Sequence, residues 1–169
     1  MNDTLRLGGR ARVVGDDINT DYIIPSRRKK ETLDPRALSR HMLEDLDPGF
    51  AGSVREGDIL VAGSNFGCGS AMEVAVTVVL AAGFRAVVAR SFARTYWRNA
   101  VNNGLLVLTA DTRGIADGAL LDIEFGSRPG SIRLPGGSAV TVEPVPDFVL
   151  ALRDAGGLLP YLRAHGRLI

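Results

Sequence analysis

Three short apolar runs, Ile59-Leu60-Val61-Ala62, Ala86-Val87-Val88-Ala89 and Leu105-Leu106-Val107-Leu108, are separated by two helix-length segments that each stop at a glycine. The segments are Met72–Ala82, before Gly83, and Phe92–Asn102, before Gly104. Strands joined by helices rather than by tight turns pair in parallel, with right-handed crossovers. The first run, Ile59–Ala62, reads as a short buried strand. The centre of the chain therefore reads as α/β.

The flanks read differently. Arg10–Val14 is expected as a strand that enters the polar turn Gly15-Asp16-Asp17, and Pro25 ends regular structure after Ile23-Ile24. Ser26–Thr32 holds no apolar residue and is predicted as an exposed, mobile loop. Asp34-Pro35 supplies an N-cap and a first helical position, and Leu38, Met42, Leu43 and Leu46 continue at helical spacing. After Asp111, strand candidates at Leu120–Phe125, Ser131–Leu134 and Ala139–Val142 lie between Gly and Pro turns, and a last helix begins near Asp147. Neither a repeat nor a linker interrupts this order. Residues 1–169 are expected to form a single α/β domain with a mixed, partly parallel sheet and flanking helices.

Composition narrows the chemistry. Hydrophobic residues make up 46% of the chain and the formal net charge is +1, so no global field recruits nucleic acid. No apolar run approaches the length of about 18 residues that a membrane span needs, and the N-terminus lacks a signal-peptide pattern, which makes the cytoplasm the expected address. One cysteine forms no disulfide within the chain. With only His41 and His165 to join it, it also builds no iron–sulfur or zinc site.

That cysteine sits in Asn65-Phe66-Gly67-Cys68-Gly69-Ser70, straight after an apolar run and before a helix. A glycine-rich turn of this kind presents free backbone N–H groups, with a helix dipole behind them, to a negative charge. Cys68 as nucleophile lacks a neighbouring base and reads instead as a small buried residue. Ser70 admits two readings from spacing alone. It is an N-cap of the helix, or a catalytic base whose alkoxide is stabilised by loop N–H groups and nearby cations. On the following helix, Tyr96 and Trp97 occupy adjoining faces, and core packing is expected for at least one.

Gly15–Pro25 (GDDINTDYIIP), Asn65–Ser70 (NFGCGS), and Ser91-Phe92-Ala93-Arg94 with Arg98-Asn99-Ala100 and Asn102-Asn103-Gly104-Leu105, taken in order, resemble the signatures of the small subunit of 3-isopropylmalate dehydratase. The ending Ala155–Tyr161 resembles that of its short, archaeal-type members. The resemblance implies the swivelling β/β/α domain of the aconitase superfamily. It implies a separate large subunit, in a heterodimer or heterotetramer, whose [4Fe–4S] cluster binds the substrate as a Lewis acid. It implies a reversible dehydration of a 2-hydroxy acid in leucine biosynthesis, with Ser70 removing the proton from carbon.

Two departures from the family pattern stand out. The family continues its loop as Gly-Ser-Ser-Arg-Glu-His, where the arginine holds a substrate carboxylate, whereas this chain reads Gly69-Ser70-Ala71-Met72-Glu73-Val74. The loss of one charge-assisted hydrogen bond is worth roughly 1.5–3 kcal/mol. After the proline, the family's small residue and Arg-Tyr-Leu-Arg become Ser26-Arg27-Arg28-Lys29-Lys30. The basic flap is expected either to replace the lost contact at Met72 or to select a more anionic substrate.

The expected site is therefore Ser70 as catalytic base, with Arg27, Lys29, Lys30, Gly69, Ala71 and Met72 against substrate. Asp17, Asp21, Asn65, Cys68 and Glu73 support them, and this chain supplies no metal ligand. Alternative readings are the small subunit of a homoaconitase or of another 2-hydroxy di- or tricarboxylate dehydratase, and a non-catalytic regulatory partner. A chain that closes over another subunit is also expected to expose apolar surface and to self-associate when alone.

Overall fold

The computed structural model describes residues 4–168. The chain order is β1 (Leu5–Val13), α1 (Thr20–Ile23), α2 (Pro35–Leu38), α3 (Phe50–Ser53), β2 (Ile59–Val61), α4 (Val74–Ala81), β3 (Ala86–Ala89), α5 (Arg94–Asn102) and β4 (Leu106–Thr109). It continues with β5 (Leu120–Phe125), β6 (Gly130–Arg133), β7 (Ala139–Val142), α6 (Asp147–Ala155) and α7 (Leu158–His165).

The strands form one seven-stranded sheet in the order β4-β3-β2-β1-β5-β6-β7. From β4 to β1 every pairing is parallel, and from β1 to β7 every pairing is antiparallel. β1 is the seam, because Ala11 pairs with Ile59 while Leu5 to Arg10 pair with Phe125 to Leu120. All residues of β2 and β3 are buried, so both faces of the parallel limb are covered. Crossovers β2-α4-β3 and β3-α5-β4 step in one direction, and right-handed connection puts both helices on one face. α4 packs against α2 and α5, and α6 and α7 pack against α5. The two edges of the sheet meet: Ala110 bridges Val142, and Glu143 N donates to Thr109 O at 2.9 Å. The antiparallel limb thereby curls back towards the other end of the sheet.

The mixed sheet and flanking helices agree with the expectation from sequence, and several boundaries move for identifiable reasons. β1 starts at Leu5 rather than Arg10. Its glycines lie against neighbouring backbone: a Cβ on Gly9 would come within 2.4 Å of Gly57 O. Its arginines find partners, Arg10 on Asp58 at 2.6 Å and Arg12 on Asp117 at 3.2 Å and over the Phe50 ring. The helix expected from Asp34 does start there, with Asp34 Oδ1 accepting from Arg36 N at 3.2 Å and Pro35 in the first turn. It ends at Leu38 and passes into a 3₁₀ turn, Ser39–His41, after which Leu43 takes a left-handed φ of 59°. Leu38, Met42 and Leu43 are buried, but Leu46 is not.

Candidate active site

The loop from β2 to α4 is held from below by an edge-to-face aromatic cluster. A Cβ on Gly67 would approach Tyr96 Cγ to 2.2 Å, and Gly67 sits at φ 81°, so only glycine lets the loop lie on that ring. Phe66 meets Tyr96 edge-on at 5.0 Å and Phe92 at 6.2 Å. Tyr96 is buried, which pushes its phenol pKa up, and its hydroxyl donates to Ala75 O at 3.2 Å, tying α5 to α4. Trp97, beside it, is half-buried. Ser91 accepts from Asn65 N through Oγ at 2.8 Å and from Phe66 N through its carbonyl at 3.1 Å. Gly104 and Gly157 lie against each other's turns, where a Cβ on Gly104 would meet Gly156 C at 2.9 Å and one on Gly157 would meet Asn102 O at 2.6 Å.

The segment after β1 flanks the loop. Ser64 N donates to Asp16 Oδ1 at 2.7 Å and Arg90 pairs with the same carboxylate at 2.5 Å. The Ser64 amide foremost, and Arg90 after it, hold the Asp16 carboxyl below the usual carboxylate range against the opposing effect of desolvation. Asp17 and Asn65 both take left-handed φ values, 51° and 59°, and Asn65 Nδ2 donates to Asp17 Oδ1 at 2.9 Å. Gly67 N donates to Ile18 O and Thr20 N to Cys68 O, each at 2.8 Å. Asn19 Oδ1 accepts from Asp21 N at 2.9 Å, and a Cβ on Gly69 would come within 2.5 Å of that oxygen. Thr20 Oγ1 donates to Ser70 O at 2.9 Å.

Up to Gly67 the loop amides are engaged. From Cys68 to Glu73, among the described residues, no backbone N–H donates to a protein acceptor. Gly69, Ser70, Ala71 and Glu73 are exposed. Ser70 thus projects from a run of free donors that leads into the positive end of α4, an arrangement that favours an anion. α4 begins at Val74 rather than Met72, with Glu73 at its N-cap position and no side-chain cap, so Ser70 is not a capping serine. Cys68 is half-buried rather than buried, because its strand-like pairing with Asn19 leaves one side open.

The basic flap is largely exposed, as expected, and is a turn rather than an irregular loop. Ser26–Lys30 forms a 3₁₀ turn, and Ser26 Oγ donates to Asp21 Oδ1 at 2.7 Å. Arg27 pairs with Asp45 at 2.5 Å and Glu44 at 2.9 Å, and Arg28 pairs with Glu44 at 2.7 Å and Glu31 at 3.2 Å. The Arg28 fork, together with His41, lowers the Glu44 carboxyl to about 2. Lys29 Nζ lies 2.7 Å from Met72 Sδ. The structure therefore brings Asp17 to Asn65, Cys68, Gly69 and Ser70 to the turn at Asn19-Thr20, and Lys29 to Met72. Arg27 is drawn to Glu44 and Asp45 instead, and Lys30 is exposed. Asp16, Asn19, Thr20 and Glu44 are structural members of the site to which sequence reasoning gave no role. The first three lie inside the Gly15–Pro25 signature, and Glu44 carried no local signal.

Among the described residues no three His, Cys, Asp or Glu side chains converge as metal ligands, and no helix is long and apolar enough to cross a membrane.

The family described as the aconitase C-terminal domain matches residues 46–113. The 3-isopropylmalate dehydratase small subunit 1 of Methanopyrus kandleri is 46% identical over 170 residues, covering 98% of this chain and 96% of that protein. The 3-isopropylmalate dehydratase small subunit of Moorella thermoacetica is also 46% identical, over 91% of this chain and 93% of its own length. A crystal structure of 3-isopropylmalate dehydratase (leuD) from Methanocaldococcus jannaschii superposes with a TM-score of 0.88 at 37% identity, covering 96% of each chain.

Proposed function

The chain belongs to the family of 3-isopropylmalate dehydratase small subunits, and on that premise we propose that it supplies the proton-transferring half of the active site and that Ser70 is its base. It is the small subunit of an aconitase-family hydro-lyase that acts with a large subunit. The reaction removes a proton from one carbon and a hydroxyl from its neighbour, and then returns water in the opposite sense, interconverting 2- and 3-isopropylmalate on the route to leucine. Ser70 Oγ, as alkoxide, takes the proton on dehydration and gives it back on rehydration.

The observation that carries this role is the run of undonated amides from Cys68 to Glu73 around an exposed Ser70. A serine hydroxyl is a poor base in water, and preorganised donors that do not reorganise during the reaction stabilise its alkoxide. Thr20 fixes the Ser70 carbonyl, so the residue is oriented from its own backbone. Gly69 and Ala71 leave room for substrate beside it, while Asp17, Asp21 and Asn65 brace the loop and flap. The donor set of this chain does not fit an iron–sulfur cluster, since it offers one cysteine. The family resemblance implies a [4Fe–4S] cluster on the large subunit, and the single cysteine of this chain accords with that assignment.

The test is an assay of this chain mixed with its large subunit. Formation of the unsaturated acid from 3-isopropylmalate is expected in the mixture and not with either subunit alone. Ser70→Ala is expected to lower kcat by about 10³-fold or more, the scale of a lost base acting with its oxyanion donors, while still forming the complex. Full turnover by Ser70→Ala would remove Ser70 from the chemistry.

A further inference from the structure

The far edges of the sheet, β4 and β7, meet through the bond from Glu143 N to Thr109 O at 2.9 Å and the bridge between Ala110 and Val142. Two cavities open on that seam, and Thr109 and Glu143 line both. The larger, about 410 Å³, has charged and hydroxyl walls: Arg90 after β3, Asp111 and Arg113 after β4, and Thr141 on β7. The smaller, about 190 Å³, is walled by Trp97, Val107, Pro144, Val145, Pro146 and Val149. An apolar cavity of about 150 Å³ holds a benzene ring, so the smaller one has room for an aliphatic or aromatic side chain. No residue of either cavity belongs to the glycine loop or the flap.

The charges on this seam are only partly paired. Arg90 donates through Nη2 to Asp16 at 2.5 Å and through Nε to Ser64 Oγ at 3.2 Å, and Arg113 puts Nε and Nη2 on the two oxygens of Asp111 at 2.8 and 2.5 Å. Each guanidinium keeps Nη1 without a protein acceptor among the described residues. Arg113 foremost, and Arg90 as a smaller contributor, lower the Asp111 carboxyl to about 2, so both cations act on one space. Glu143 is exposed, and among the described residues its carboxylate meets no cation. Two guanidinium donors, one free carboxylate and an apolar slot therefore lie side by side. A ligand carboxylate matches the first, an ammonium the second and a hydrocarbon chain the third.

We propose that this seam is a binding site for an α-amino acid with an apolar side chain, its carboxylate on Arg90 and Arg113, its ammonium on Glu143 and its side chain beside Trp97. A simple carboxylic acid would set a second negative charge against Glu143, and an amine would leave both guanidiniums unused. The 2-hydroxy acids handled at Ser70 carry no ammonium, so this site is not a second seat for them.

Trp97 is the one tryptophan of the chain, so its fluorescence reports on the slot directly. Titration of the full chain with L-leucine or L-phenylalanine is expected to shift that fluorescence saturably, with a Kd of about 1 mM or tighter that calorimetry reproduces. Glycine lacks the side chain, 4-methylpentanoate lacks the ammonium, and D-leucine cannot place all three groups at once. Each is expected to bind at least about 10-fold more weakly than L-leucine. Glu143→Gln is expected to weaken L-leucine by about 10- to 100-fold and, by removing the like charge, to strengthen 4-methylpentanoate. Arg113→Gln is expected to weaken both. Opposite responses to Glu143→Gln mark a direct contact, since damage to the fold would weaken both ligands. No saturable change with either amino acid up to about 20 mM overturns the site, as does an equal Kd for L-leucine in the parent and Glu143→Gln. Binding of 4-methylpentanoate as tight as that of L-leucine overturns it too. These readouts need neither the large subunit nor Ser70, so they stand or fall apart from the hydro-lyase chemistry.

Discussion

Single residues in this chain are explained by what a methyl group would strike. Gly67 lies on the Tyr96 ring at φ 81°, and Gly69 lies on the Asn19 amide at φ 94°, so the loop carrying Ser70 approaches its supports more closely than a side chain permits. Gly114 has open space around it and no positive φ. Gly67→Ala is therefore expected to destabilise the fold by about 3 kcal/mol or more, combining a left-handed φ penalty with a displaced aromatic, whereas Gly114→Ala is expected to be neutral or slightly stabilising. Urea denaturation of the two variants checks the contrast, and equal midpoints would mean that the loop is not seated on Tyr96. The sequence announced this loop through its glycines. It did not announce Tyr96 as the surface beneath, because Phe92, Tyr96 and Trp97 read equally well as the core of their own helix. Cys68 was expected to be buried for its size, yet the residue, paired with Asn19, is half-buried.

At the level of elements, the flap shows where a local reading stops. Seven polar residues in a row predict an exposed loop, and the segment itself supplies one carboxylate, Glu31 on Arg28, but not the others that grip its arginines. These come from Glu44 and Asp45, 16–18 residues away, beyond any periodicity argument. The order of the flap then depends on acid in a defined direction. Glu44 is held at about 2, below its ordinary 4.5, chiefly by hydrogen bonding from Arg28. A depressed carboxyl contributes its full stabilisation above the unfolded value and loses it as pH falls towards the folded one. Amide exchange in residues 26–31 is therefore expected to accelerate, relative to β2 and β3, as pH falls from about 4.5 to 2 after correction for intrinsic rates. Glu44→Gln is expected to be fast at every pH and to lose that dependence. A flap that stays protected at pH 2.5, or one equally mobile in parent and variant at pH 7, would separate its order from this clamp. The same element scale explains α4: the glycine loop uses Ser70–Met72 to cross over the site, so the helix starts only at Val74.

At the scale of the whole molecule, the parallel strands, their crossovers and the antiparallel limb were legible because each is written in apolar spacing. The strand that joins them was legible only in its second half. β1 carries glycines and arginines where a central strand ordinarily carries branched apolar residues, and its arginines are accommodated by Asp58, Asp117 and the Phe50 ring from distant segments. Both limbs are bonded to this one strand, and their far edges also meet at Ala110 and Val142. Neither limb is then free to melt without loosening the other. Gly9 sits at that seam, where an added Cβ would press within 2.4 Å of Gly57 O and 3.0 Å of Ile59 Cγ1. Because both contacts belong to the β2 side while Gly9 itself pairs with Leu121 of β5, Gly9→Ala strains the two limbs through one residue. The variant is expected to lose about 2–4 kcal/mol in a single transition. Trp97, the one tryptophan of the chain, lines a pocket with Thr109, Glu143 and Val145 where the edges meet, far along the sheet from Gly9. Its fluorescence and the far-ultraviolet circular dichroism should therefore shift to the same lower midpoint. Two separated midpoints, with the tryptophan signal unmoved, would show limbs that fold independently and a seam that only tethers them.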